Sequence, residues 1–266
     1  MSLSEKNLKI VESFISLKEQ INLLLSNYPS NKTHLQNYLY FTVNPFFNYT
    51  ESIIILCEQG KFNAAQSLLR SLFEAHINVI YFQTGNVEQR LAITAKTQFD
   101  WRKKVLNSFI KLIKDYPNLE SPIKGNLYNK NYLEATLEGN NKYILTIINN
   151  NQLSKDDKDP TLLEKAKLCD AAKIEKTEPG HFELMYHLVY RQLSSYTHLD
   201  IQGIESFVNK DSEGKYIFKE KPNEDLLISE SIGICVALIK DLYKNGVIIG
   251  NAPEIINITE KLINEK

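Results

Sequence analysis

The stretch from residue 34 to residue 83 constrains this chain more than any other. From Phe62 to Gln83, the side chains Ala65, Leu68, Leu69, Leu72, Phe73 and Ile80 recur at the three- and four-residue spacing of a helical face. The residues from His34 to Gln59 carry a second helical pattern, and Gly60 stands where a helix ends in left-handed backbone. Two apolar helices joined by so few residues must fold back on each other as an αα-hairpin. Pro45 lies inside the first of them and is expected to bend it or divide it in two. Gly60, Phe62 and Ala65 give the hairpin the outline of one tetratricopeptide unit, but no second copy follows at a spacing of about 34 residues, which argues against a solenoid.

The remaining patterns are helical as well. Leu3 to Leu25 carries a broad apolar face, and Val87 to Tyr116 is closed by Pro117. Short helices are expected at 132–138 and 143–149, and another at Asp159-Pro160, with Asp159 as N-cap and Pro160 in the first turn. His181 to Asp200 reads as one amphipathic helix, Asn223 caps a long helix to Lys244, and Asn251-Ala252-Pro253 starts a last one. ESFV and KYIF flank the polar NKDSEG and read as a small β-hairpin within 205–218. The expected architecture is an all-α, single-domain helical bundle over 1–266. Its core would span 34–246, with the helices at 3–25 and 252–264 peripheral.

Bulk composition narrows the function classes. A hydrophobic content of 43% and a charged content of 24% suit a globular domain. The net charge of -1 provides no global attraction for polyanions, so nucleic-acid binding would have to be local. The polar side of 87–116, with Arg90, Lys96, Arg102, Lys103, Lys104, Lys111 and Lys114, is notably basic, and a solvated face is the plainer reading of it. Cys57, Cys169 and Cys235 are widely spaced, which speaks against a zinc site or a disulfide framework and for a reducing compartment. The N-terminus has no apolar core of a signal peptide, and no apolar run approaches the ~20 residues that span a bilayer. A cytoplasmic protein without membrane attachment is expected.

The most unusual helix is HFELMYHLVYRQLSSYTHLD, 181–200. Leu184, His187, Leu188, Arg191, Ser194, Ser195 and His198 fall on one of its faces, where a core stripe would be aliphatic. Buried polar groups need partners, so this face has either internal hydrogen bonds or a task. Arg191 and His198 are seven apart and project almost in line, about 10 Å along the axis. Arg70 and Glu74 form an i, i+4 couple beside apolar neighbours, either a surface ion pair or a pair lying against the core, where Glu74 could orient Arg191 or His198. Arg70 and His76 offer a second arginine–histidine spacing, but the two side chains lie about 120° apart on their helix. On spacing alone, a structural histidine near a helix end is the plainer reading of His198.

Metal and nucleotide-cofactor readings find little support. Glu178-Pro179-Gly180-His181 has the Glu-x-x-His spacing of di-iron bundles, but Pro-Gly cannot hold it on a regular helix. His181-Phe182-Glu183 lacks the Pro-Cys-x-x-Cys half of the zinc deaminases, and no GxGxxG, Walker loop or Gly-x-Ser-x-Gly occurs. No metal and no cofactor are expected.

Three segments carry a family likeness: ESIIILCEQGKFNAAQSLLRSLFEAHINVIYF at 51–82, VEQRL at 87–91 and YRQLSSYTHLD at 190–200. Through them the chain resembles a bacterial domain-of-unknown-function family, number 5677, which is similar to the HEPN group of helical bundles (higher eukaryotes and prokaryotes nucleotide-binding). Many members of that group are metal-independent RNases with an Arg-x4-6-His motif, acting as toxins or in phage defence. The resemblance implies Arg191 and His198 as the catalytic pair, with Ser194 and Ser195 between them; Arg70 and Glu74 are the supporting residues expected from the helical spacing. Other members have lost activity, so the resemblance equally allows a non-catalytic binding or sensing module, a toxin–antitoxin partner among them.

The implied chemistry suits the residues. Metal-free RNA cleavage must deprotonate the 2′-hydroxyl and protonate the leaving oxygen, and histidine can do either near neutral pH. A guanidinium stabilises the charge that builds on phosphorus. One Arg191 and one His198 are too few for both proton transfers, so a homodimer pooling two copies is expected.

Overall fold

The computed structural model describes residues 3–26, 32–123, 128–172, 180–190, 208–210, 216–218, 224–248, 256–257 and 260–261. The fold is all-α, and its contacts divide the chain into two compact units. One comprises Met1–Thr84 with Leu162–Lys266, and the other is the intervening Gly85–Thr161.

In the first unit, α1 (Glu5–Leu25), α2 (His34–Glu58) and α3 (Phe62–Phe82) are followed, beyond the second unit, by α6 (Leu162–Ala172), α7 (His181–Met185) and α8 (Glu224–Lys244). Local chemistry sets the helix starts. The Ser4 hydroxyl accepts from the Asn7 amide, and Thr33 and Gln36 form a reciprocal capping box. Gly60 turns α2 into α3 at a φ of 69°, which a side chain would strain. Pro45 does not divide α2. Proline, which withholds a hydrogen bond from the carbonyl four residues earlier, sits with Phe41 on the exposed side, where water can take that bond's place.

α8 lies across the α2–α3 hairpin. The pairs Gln36/Asn245, Phe46/Cys235 and Thr50/Ser231 run in opposite chain order, so α2 and α8 are antiparallel. Phe14 of α1 meets Phe47 of α2 edge-on at 5.9 Å, and both are buried. Lys18 pairs with Glu51 on the same flank. All three cysteines are buried, and burial pushes the Cys235 thiol up to about 12, with the Thr50 hydroxyl pulling the other way. α6 seats against α3 through Lys165, whose ammonium reaches the Asn78 side chain at 2.8 Å and the faces of Tyr81 and Phe82. A two-stranded antiparallel hairpin, β1 (Val208–Lys210) and β2 (Tyr216–Phe218), pairs Val208 with Phe218.

The second unit is a helical hairpin of its own, α4 (Val87–Asp115) and α5 (Lys130–Asn151), capped by Asn86 and Asn129. Leu106, Ile113 and Leu133 form its small apolar core, with Phe109, Ile110 and Leu137 packed around them. α5 is one helix where two short ones are expected from the sequence. Gly139-Asn140-Asn141 reads locally as a break, but Leu133 and Ile144 on either side are buried, and the Asn140 side-chain amide donates to the Phe99 carbonyl at 2.9 Å. Asp159 does not cap α6. Its carboxylate accepts from the Thr94 hydroxyl at 2.7 Å and its amide donates to the Thr97 hydroxyl, so it ties the segment after α5 back to α4. No described helix is long and apolar enough to cross a membrane.

Candidate functional site

The region expected to hold the site is where α7 leans on α3. Asp170 of α6 starts α7: its two carboxylate oxygens accept from the amides of Phe182 and Glu183, each at 2.9 Å. Gly180, at a φ of 78°, lets the chain enter that turn. α7 then widens into a π-helical turn over Tyr186–Tyr190. The single regular helix expected from 181 is therefore altered by its second turn, and the side chains leave the 3.6-residue phase.

The change of phase decides which face meets α3. Phe182 is buried and meets His76 edge-on at 6.0 Å. Tyr186 stacks on Tyr190 at 5.1 Å, and Tyr190 carries the Arg70 guanidinium over its ring at 4.5 Å. The same guanidinium donates from Nη2 to the Tyr190 hydroxyl at 2.9 Å. Leu184, placed by periodicity at the head of the polar face, is 56% exposed, and His187 is exposed too. The described beginning of that face thus points to solvent, and the aromatic line Phe182, Tyr186, Tyr190 takes the inner side.

Arg70 and Glu74 do not pair. Arg70 turns to Tyr190 while Glu74 is exposed, because the phenol and its ring give the guanidinium both an acceptor and a cation–π surface in a half-buried place. The Nε atom of Arg70 is buried and has no hydrogen-bond partner among the described residues. Arg191, Ser194, Ser195 and His198 lie outside the described residues, and Leu188 is described in its backbone alone. The site therefore comes into view only from the α3 side, where Tyr190 immediately precedes Arg191 in sequence.

The second arginine–histidine spacing is resolved as structural on the histidine side. His76 is fully enclosed, and burial, with the charge of nearby His181 adding to it, lowers its pKa to about 4. It is neutral at physiological pH. Burial raises the Glu230 carboxyl on α8, and His181 acts in the opposite direction. His181 therefore lies within electrostatic reach of both α3 and α8. Among the described residues no group of three or more His, Cys, Asp or Glu side chains could hold a metal.

The sequence pattern gives no role to Tyr190 or Asp170, and it brings in His181 only as a poor metal ligand. An aromatic residue at every fourth position, Phe182, Tyr186 and Tyr190, was a visible signal for the inner face. Nothing local marks Asp170 as the cap of a helix twelve residues later. Replacing Tyr190 by phenylalanine keeps the ring and deletes the hydroxyl, and is expected to cost about 1 kcal/mol of stability in urea unfolding.

With the geometry in hand, comparison with known proteins adds one positive result. Residues 36–216, about two thirds of the chain, match a family of unknown function, DUF5677. The chain belongs to that family. The match to DUF5677 begins in α2, contains the whole second unit and α7, and runs through 190–200, so it covers every candidate site residue. No curated protein and no solved structure matches the chain.

Proposed function

We propose that this chain is a HEPN-like, metal-independent endoribonuclease of the toxin or phage-defence kind, working in the cytoplasm as a homodimer. His198 acts as the general acid or base and Arg191 holds the scissile phosphate. Ser194 and Ser195 supply polar contacts between them. The observation that carries this reading is the anchoring of Tyr190 by Arg70, because it fixes the residue before Arg191 to the most strongly apolar hairpin of the fold. Arg70 is then a positioning residue and Glu74 a solvent-facing neighbour. A phosphate clamp needs its arginine held in one orientation, and a backbone pinned one residue away restricts the conformations Arg191 must lose on binding.

The test is cleavage of single-stranded RNA by the purified protein in excess EDTA. Activity is expected to persist, and Arg191→Ala or His198→Ala is expected to reduce it by at least about a hundredfold, the usual worth of a general acid–base group. Helicity and dimerisation should be unchanged in both variants. Activity lost in EDTA and restored by magnesium overturns the reading, and so do substituted proteins with full activity. A wild-type protein that cleaves nothing but retains a protein partner is the binding-module alternative.

A further inference from the structure

The second unit carries a feature that the cleavage reading does not use. α4 contains seven basic and three acidic residues, so it is locally basic in a chain of net charge -1. Trp101, the only tryptophan of the protein, is 67% exposed on that helix. Lys104, Ser108 and Lys111 follow Trp101 at three, seven and ten residues, which puts all four within one narrow arc of the helix. Arg102, Lys103 and Lys114 lie outside that arc on the same helix and are exposed. The stripe from Trp101 to Lys114 is about 20 Å long.

Two contrasts make this more than a solvated face. Three other lysines of the unit are paired: Lys96 with Asp100, Lys130 with Glu134 and Lys142 with Glu138. Arg102, Lys103, Lys104, Lys111 and Lys114 enter no ion pair among the described residues, and all five are exposed. The apolar face of α4 is also already occupied, since Leu106, Phe109, Ile110 and Ile113 pack towards α5. A membrane-surface helix would present that apolar face to lipid, and here Trp101 and Leu112 are its exposed large apolar side chains, set among lysines. An exposed aromatic with cations spaced along one line matches a strand that offers base faces and phosphates together.

We infer that the Trp101–Lys104–Lys111 stripe of α4 binds single-stranded nucleic acid, with Trp101 stacked on one base and the lysines on successive phosphates. Tryptophan reads a base face and lysine a phosphate, and neither touches the sugar, so DNA and RNA strands bind alike. The inference stands apart from the cleavage reading, because it concerns binding by residues that reading does not employ.

The single tryptophan makes the test direct. Intrinsic fluorescence is titrated with a short single-stranded DNA and with RNA of the same sequence, using the His198→Ala protein so that no strand is consumed. Both strands are expected to quench Trp101 with similar midpoints, and the same duplex sequence to bind more weakly. Trp101→Ala, followed by anisotropy of a labelled strand, should lower affinity about tenfold. Lys104→Ala with Lys111→Ala should flatten the dependence of log affinity on log salt by about one unit. Circular dichroism of each variant, matching the parent, shows that the loss is not unfolding. Absence of quenching, equal binding of the Trp101→Ala protein, or tighter binding to anionic lipid vesicles or polyglutamate than to the strand overturns the inference. These readouts do not depend on cleavage, so either proposal can fail alone.

Discussion

Lys96→Met is expected to destabilise the second unit by about 3 kcal/mol, enough to unfold it under conditions where the parent chain is intact. Lys96 has only 3% of its side chain exposed. Its ammonium donates to the Asp100 carboxylate at 3.1 Å and to the carbonyls of Lys155 and Asp157 at 2.8 and 2.9 Å. All three of its protons are thus committed, which is the condition under which a buried charge is tolerated. Methionine keeps much of the apolar stem but leaves two carbonyls and a carboxylate unanswered. Asp100 is about two-fifths exposed and recovers part of its hydration, which keeps the loss moderate. The measurement is urea unfolding followed by Trp101 fluorescence, which reports on α4 directly, beside circular dichroism, which reports on all helices. A fluorescence midpoint in the variant equal to that of the parent shows Lys96 to be dispensable.

Acidification is expected to weaken the first unit through His76. The free imidazole titrates near 6.5, and burial with His181 nearby lowers the folded value to about 4. Between those two values the unfolded chain binds a proton that the folded chain refuses. Stability therefore rises with pH across this window and is lost as pH falls from 6.5 towards 4. The gap corresponds to about 3 kcal/mol. The half-buried Glu230 carboxyl and the buried Asp241 carboxyl are raised, so they act with the opposite sign: the folded chain holds their protons more readily, and the stability this brings is lost as pH rises through their folded values. Comparing His76→Gln with the parent at each pH cancels those terms. The unfolding free energy of the variant should decline less steeply between pH 6.5 and 4. Parallel curves for the two proteins would mean that His76 is not held neutral.

The candidate site was legible in the sequence only in part. Arg191 and His198 are singled out by the family likeness, because an arginine–histidine spacing alone is common enough to recur at Arg70 and His76, and the family match covers them. What holds that stripe was not legible. Arg70 was assigned to Glu74 because four residues on one helix are the shortest route to an ion pair. Its actual partner, Tyr190, is 120 residues away and offers an acceptor and a ring in a half-buried place. The phase of the helix after 185 was equally invisible, since a π turn is a choice between aromatic contacts on the inner side and regular hydrogen bonding.

The sequence by itself determined whatever depends on neighbours within a turn or two. Apolar periodicity set the helices, Ser4, Thr33, Asn86 and Asn129 set their starts, and Gly60 set the reversal between α2 and α3. Such effects act through backbone groups that the same few residues supply. Only the tertiary structure decided that α5 runs unbroken through Gly139, that Asp159 serves α4 and does not cap α6, that Asp170 starts α7, and that the contacts gather into two units. Each of these choices turns on a hydrogen bond or an apolar contact between residues far apart in the chain. Their free energy exists only once packing has brought the partners together and removed the water that would otherwise serve them.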